Sequence, residues 1–128
     1  MQLNHLHLST PDVTHASAFF VQHFGFRLRE MRGRDSFAVL DGEAGVIFVL
    51  MRLPDNPPME HAYPPMFHIG FLVKDETVLE KTHASLTTDG HQPSDIEHTR
   101  GARRFYCKAP GGLLVEVGHE PEKTMQSN

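Results

Sequence analysis

The sequence contains no tryptophan, a single cysteine and no long uninterrupted apolar run. With Cys107 alone an intrachain disulfide is impossible, which points to a reducing compartment and a cytoplasmic protein. The amino-terminal MQLNHLHLST lacks both a basic leader and an apolar stretch, so it reads as neither signal peptide nor membrane anchor. Excess positive charge is also lacking. Twelve Lys and Arg against sixteen Asp and Glu leave a net charge of −4, which draws the chain to neither nucleic acid nor an anionic membrane. What remains is an ordinary globular composition, 39% hydrophobic and 22% charged, in 128 residues that make one domain with a real core. The residue in surplus is histidine, with ten copies, the commonest metal ligand and acid/base group near neutral pH.

The chain makes the same statement twice. LNHLHLSTPDVTHASAFFVQHFGF reads as an alternating strand, an N-cap at Asp12, and a helix with Ala16, Phe19, Phe20, His23 and Phe24 on one side, ending near Gly25. MFHIGFLVKDETVLEKTHASLTTDG repeats it, with an N-cap at Asp75, Val78, Leu79, Thr82 and Leu86 at helical spacing, and a stop near Gly90. His5 precedes Asp12 as His68 precedes Asp75, by the same interval. Three short strands follow each helix, predicted over 26–31, 36–41 and 45–51 and over 94–98, 103–108 and 113–118. The architecture expected is α+β: two tandem βαβββ modules, about 1–53 and 66–118, forming a cupped, partly open, antiparallel-rich barrel. A proline-rich linker over about 54–65 joins them and a tail over 119–128 follows, within one domain spanning 1–128.

Strand alternation then assigns faces. His5, His7 and Ser9 point one way, with Leu6 and Leu8 toward the helix; His68 and Gly70 share a face backed by Phe67, Ile69, Phe71 and Val73. In LLVEVG, Glu116 lies between Val115 and Val117, and a carboxylate in an apolar strand calls for a cationic partner. His5, His68 and Glu116 on one concave side make a set of two histidines and one carboxylate, which leaves about half of an octahedral metal's positions open. The competing readings are half-buried structural histidines and a Glu116 paired with Arg103 or Arg104. RGARR itself reads as a solvated charge run. His7, beside His5, is a candidate base or fourth ligand. Tyr106 precedes Glu116 by an even number of residues, so hairpin pairing can put both on the concave face.

These stretches resemble the vicinal oxygen chelate superfamily, which includes glyoxalase I, extradiol dioxygenases, fosfomycin-resistance enzymes and bleomycin-resistance proteins. NHLHLSTPDVTHASAFFVQHFGF resembles its opening unit with a ligand at His5, FHIGFLVKD the second with a ligand at His68, and APGGLLVEVG the closing strand with the last ligand at Glu116. IEHTRGARRFYCKAPGGLLVE is similar to the extradiol signature through His98, Phe105, Tyr106, Pro110, Gly112 and Glu116. The resemblance implies a divalent metal, Fe(II) first, with Mn(II), Zn(II) or Ni(II) as alternatives. It also implies a catechol-type diol beside O₂, Tyr106 bonded to a substrate oxygen, and His98 behind the ligands. The acid/base histidine has three candidates: His61 on the linker, His98 and His7.

Glyoxalase-type sites carry a fourth ligand, a glutamate, on the last strand of the first module. Phe48 is expected in that place here, which demotes a lyase. A fosfomycin-type thiol transferase needs a cationic cradle, for which Arg103, Arg104 and Lys108 are the available groups. A metal-free drug-binding module would not need three intact ligands. The reading is therefore a metal-dependent extradiol-type dioxygenase on a small substrate, with Phe48, Leu3 and Leu114 as an apolar wall, assembled as a homodimer that pairs open sheet edges.

Overall fold

The computed structural model describes residues 1–53 and 63–121. His61 and most of the proline-rich linker lie outside them, as does the end of the tail. The chain divides into two compact units, Met1–Pro65 with the turn Ala109–Leu113, and Met66–Lys108 with Leu114–Asn128. Among the described residues no helix is long and apolar enough to cross a membrane.

The first unit is built from β1 (His5–Thr10), α1 (Val13–His23), β2 (Arg27–Arg32), β3 (Phe37–Asp41) and β4 (Ile47–Arg52). Its strands form an open sheet in the order β1-β4-β3-β2, with β1 parallel to β4 and the other pairs antiparallel. Asp12 starts α1 by accepting the His15 N–H at 3.0 Å, and Gly25, at φ +73, turns the chain out of it. The helix buries Val13, Ala16, Phe19 and Phe20 against Leu8, Ala38, Leu40, Phe48 and Leu50.

The second unit repeats this plan. It contains β5 (His68–Leu72), α2 (Glu76–Thr88), β6 (Glu97–Thr99), β7 (Ala102–Lys108) and β8 (Leu114–His119), with sheet order β5-β8-β7-β6 and β5 parallel to β8. Asp75 caps α2 by accepting the Val78 N–H at 2.9 Å. Leu79 and Leu86 are the residues α2 buries, facing a sheet side that includes Phe105, Cys107, Val115 and Val117. Val78, expected in that stripe, is 41% exposed, because two leucines seven apart already fill the narrow contact.

Phe48 departs from expectation more consequentially. It pairs with Leu6 in register, so it faces the helix rather than the open side of the sheet. It is 1% exposed and lies 5.2 Å from the Phe20 ring and 4.6 Å from that of Phe26. Phe48 is therefore core, not site wall. Its removal leaves a cavity among rings that cannot collapse. Phe48→Ala is expected to cost about 3–5 kcal/mol, and Val49→Ala, on the opposite face, clearly less. Urea unfolding of the two variants checks this; equal losses would mean the faces are misassigned.

Candidate metal and substrate site

The register of β5, β8 and β7 defines the site. Glu116 pairs with Gly70 on one side and with Tyr106 on the other. Paired residues share a face, and here it is the face turned away from α2. The neighbouring rungs on that face are His68–Leu114–Lys108 and Leu72–Gly118–Arg104. Val115 and Val117 point the other way and are sealed, at 0% and 1% exposure. Glu116 thus keeps its carboxylate in the open while its neighbours hold the core.

Three side chains converge there. The Tyr106 hydroxyl donates to Glu116 Oε1 at 2.6 Å, and His68 Nε2 lies 3.9 Å from the same oxygen. The His68 and Tyr106 rings meet edge to face at 5.8 Å. His68 Nδ1–H donates to the Met66 carbonyl at 2.8 Å, which fixes the tautomer and leaves the Nε2 lone pair toward Glu116. Met66 holds that carbonyl from a left-handed backbone conformation, φ 69, uncommon outside glycine. The hydrogen bond to Glu116 and then burial raise the Tyr106 phenol above its ordinary pKa, while the Arg104 guanidinium pulls the other way.

Ser94 fixes the backbone of Tyr106 from the outer edge of β7. Its N–H donates to the Tyr106 carbonyl at 2.8 Å and its Oγ accepts from the Tyr106 N–H at 2.9 Å. His83 Nε2–H in turn donates to the Ser94 carbonyl at 2.9 Å. Neither Ser94 nor His83 is marked by the sequence, because this relay joins helix, loop and strand across long chain separations.

The remaining site candidates are placed as follows. His5, in the first unit, is exposed at the start of β1 and pairs with Ile47. Its Nδ1–H donates to Asn4 Oδ1 at 2.9 Å, the same tautomer-fixing arrangement as at His68. His7 is exposed on the open face of that sheet, opposite Val49. In the first module's equivalent of the Gly70–Glu116–Tyr106 rung stand His7, Val49 and Val39. Val49, not Phe48, is the first module's counterpart of Glu116, and it too lacks a donor. His98 pairs with Arg103, on the parity opposite to Tyr106 and Glu116, so the structure does not bring it to this cluster.

The two arginines of RGARR part company. Arg103 turns to the helix side, 3.5 Å from Glu76 and 3.4 Å from Glu80. Arg104 stays on the open face and acts on the Tyr106 hydroxyl. Among the described residues neither arginine pairs with Glu116. That leaves the carboxylate with a phenol and an imidazole, a donor set for a cation. Glu116→Gln is expected to lower the Tyr106 phenol pKa toward its ordinary value, since the charge that disfavours phenolate is removed. Ultraviolet titration in a Tyr63→Phe background reads this, because the chain has two tyrosines, both with raised phenols, and no tryptophan. An unchanged profile would contradict the Tyr106–Glu116 bond.

Comparison with known proteins agrees with this architecture. No curated protein matches the sequence. A solved structure described as a possible glyoxalase from Bacillus cereus is 34% identical, with a TM-score of 0.79, over 91% of this chain and 97% of that one. Oxidase ChaP-H2 shares the fold at 20% identity and a TM-score of 0.75, over 94% of each chain. Lactoylglutathione lyase from Agrobacterium tumefaciens does so at 17% identity and a TM-score of 0.71, over 92% of each. Residues 2–117 match one family as a continuous whole, and the chain belongs to the Glyoxalase/Bleomycin resistance protein/Dioxygenase superfamily.

Proposed function

We propose that the protein is a divalent-metal-dependent enzyme of the extradiol dioxygenase type, acting on a small substrate with two vicinal oxygens. The observation that carries this reading is the open-face cluster of His68, Glu116 and Tyr106. His68 Nε2 and Glu116 Oε1 are 3.9 Å apart, within the span of two metal–ligand bonds of about 2.1 Å each. Imidazole and carboxylate together suit Fe(II) first, and Mn(II), Zn(II) or Ni(II) as well. His5 is proposed as the third ligand on the strength of its sequence position and its free Nε2, with the tautomer fixed as at His68. When bound, the metal supplies Lewis acidity toward two adjacent oxygens and, as Fe(II), one-electron chemistry toward O₂.

The chain's own groups do the rest. Tyr106, once Glu116 is committed to a cation, has its hydroxyl available to donate to a substrate oxygen, worth about 1.5–3 kcal/mol when the acceptor is charged. Arg104 lies beside that hydroxyl and adds positive potential on the same face. Leu114, between His68 and Lys108, offers an apolar surface for the body of the substrate. His7 is proposed as the acid/base group, with His61 as the alternative. Val49 at the fourth-ligand place favours more exchangeable positions, hence an oxygenase over a lyase. A glyoxalase-type lyase is the second reading, supported by the description of the Bacillus cereus structure. We place the protein in the cytoplasm, as a homodimer in which the terminal strands of the two sheets find partners.

Protein purified anaerobically is expected to carry a divalent first-row metal, and Glu116→Ala and His5→Ala are expected to lose it. Elemental analysis decides this, and unchanged metal content in either variant removes that ligand from the set. Fe(II)-loaded protein is expected to consume O₂ with a catechol. Tyr106→Phe should slow turnover about tenfold or more, the equivalent of one charged hydrogen bond, while iron stays bound. No uptake with a panel of diols, together with conversion of a glutathione hemithioacetal, would establish the lyase. Joining of a thiol to an epoxide would establish the transferase.

A further inference from the structure

On the open face of the second sheet, His68, Leu114 and Lys108 form one rung across three strands. Strands are about 4.8 Å apart, so the backbones at His68 and Lys108 are separated by roughly 9–10 Å. An imidazole stands at one end of that rung, an isobutyl group in the middle and an ammonium at the other end. Beyond it lies a cavity of about 510 Å³ whose lining includes Gly90, Gln92, Ser94, Tyr106, Lys108 and Leu114. The cavity exists because β6 covers only Ala102–Arg104 of β7, leaving the strand's outer edge to the loop that carries Ser94. That loop is tied down by the His83–Ser94–Tyr106 hydrogen bonds, so the wall is preformed.

The lining is largely apolar, with Leu114 and Cys107, and its polar members are Lys108, Gln92, Ser94 and Tyr106, with no acidic residue among the described residues. Lys108 makes no ion pair among the described residues, and Arg104, two residues before Tyr106 on the same face, adds a second cation nearby. In a protein of net charge −4, this strip of β7 is locally basic. An anionic group placed there gains a charge-assisted hydrogen bond with Lys108, which the apolar contacts of Leu114 and Cys107 cannot supply.

We infer that this cavity is a subsite for a carboxylate. The substrate then has its vicinal oxygens at His68 and Glu116, its body over Leu114 and a carboxylate-bearing substituent reaching Lys108. The inference rests on the proposed site but names its substrate class, and Lys108 becomes a specificity-determining residue that takes no part in the chemistry. A substituent one or two carbons long on an aromatic diol fits the rung.

The test compares 3,4-dihydroxyphenylacetate with 4-ethylcatechol, nearly isosteric and neutral. Calorimetric dissociation constants are measured anaerobically with metal-loaded and metal-free protein, beside KM for O₂ uptake. The carboxylate probe is expected to bind at least tenfold tighter than the neutral one. Lys108→Gln should erase that preference and Lys108→Glu reverse it, with 4-ethylcatechol affinity unchanged; Lys108 is exposed, so both variants keep the fold. Equal affinities in the unmodified protein, a preference that survives Lys108→Gln, or binding of neither probe overturns the subsite. A Lys108-dependent preference without O₂ uptake keeps the subsite and refutes the oxygenase. Uptake with equal KM for both probes does the converse.

Discussion

The two-residue alternation of β8, held between a parallel neighbour and an antiparallel one, is the constraint from which the site follows. Val115 and Val117 cannot be sealed against the helix side without Glu116 being delivered to the other face. The pairing then puts a phenol on one side of the carboxylate and a glycine on the other. Gly70 has no positive φ, and a Cβ there would meet Glu116 Oε2 at an ordinary 3.6 Å. Neither a turn nor packing demands the glycine, and within a strand it costs about 0.5–1 kcal/mol. What it does is leave the face beside Glu116 uncovered. The Tyr106 hydroxyl donates to Oε1 and His68 Nε2 approaches the same atom, so the carboxylate is held on this face beside a phenol and an imidazole.

The two modules have one topology and different contents. In the first, Phe19, Phe20, Phe26 and Phe48 make a largely edge-to-face aromatic core, and the rung equivalent to the site holds His7, Val49 and Val39. In the second, the core is aliphatic around Phe105, and the equivalent rung holds Gly70, Glu116 and Tyr106. The two modules therefore share the strand order and a leading histidine, His5 and His68, while on the equivalent rung acid and phenol occur in the second alone. Val49 itself, the first module's counterpart of Glu116, has no donor to offer a metal.

Adjacent residues of one strand serve opposite faces, and RGARR illustrates how that divides labour. Arg103 reaches α2, where exposed pairing with Glu76 and Glu80 contributes little, about 0–1 kcal/mol. Arg104 lies two residues from Tyr106 and acts on its phenol. The hairpin that sets this register turns at Arg100 and Gly101, both at positive φ. The same register puts His98 opposite Arg103, away from the open face.

Periodicity and caps made much of the molecule legible in the sequence. Asp12 and Asp75 announce the helices, alternation assigns His5, His68, Tyr106 and Glu116 to the faces they take, and the repeated order strand, helix, three strands is readable from turn residues. Phe48 was not legible. A 3₁₀ turn over Glu43–Gly45 precedes β4, and which face Phe48 takes is set by its pairing with Leu6 on a distant strand, which no local pattern states. The pinning of Tyr106 by Ser94 and His83, and the cavity beside Lys108, depend on a loop meeting the uncovered edge of β7. Local sequence fixes which way a side chain points within its own strand. What stands beside that strand is decided by pairings between distant segments, because only tertiary packing determines how far β6 covers its neighbour.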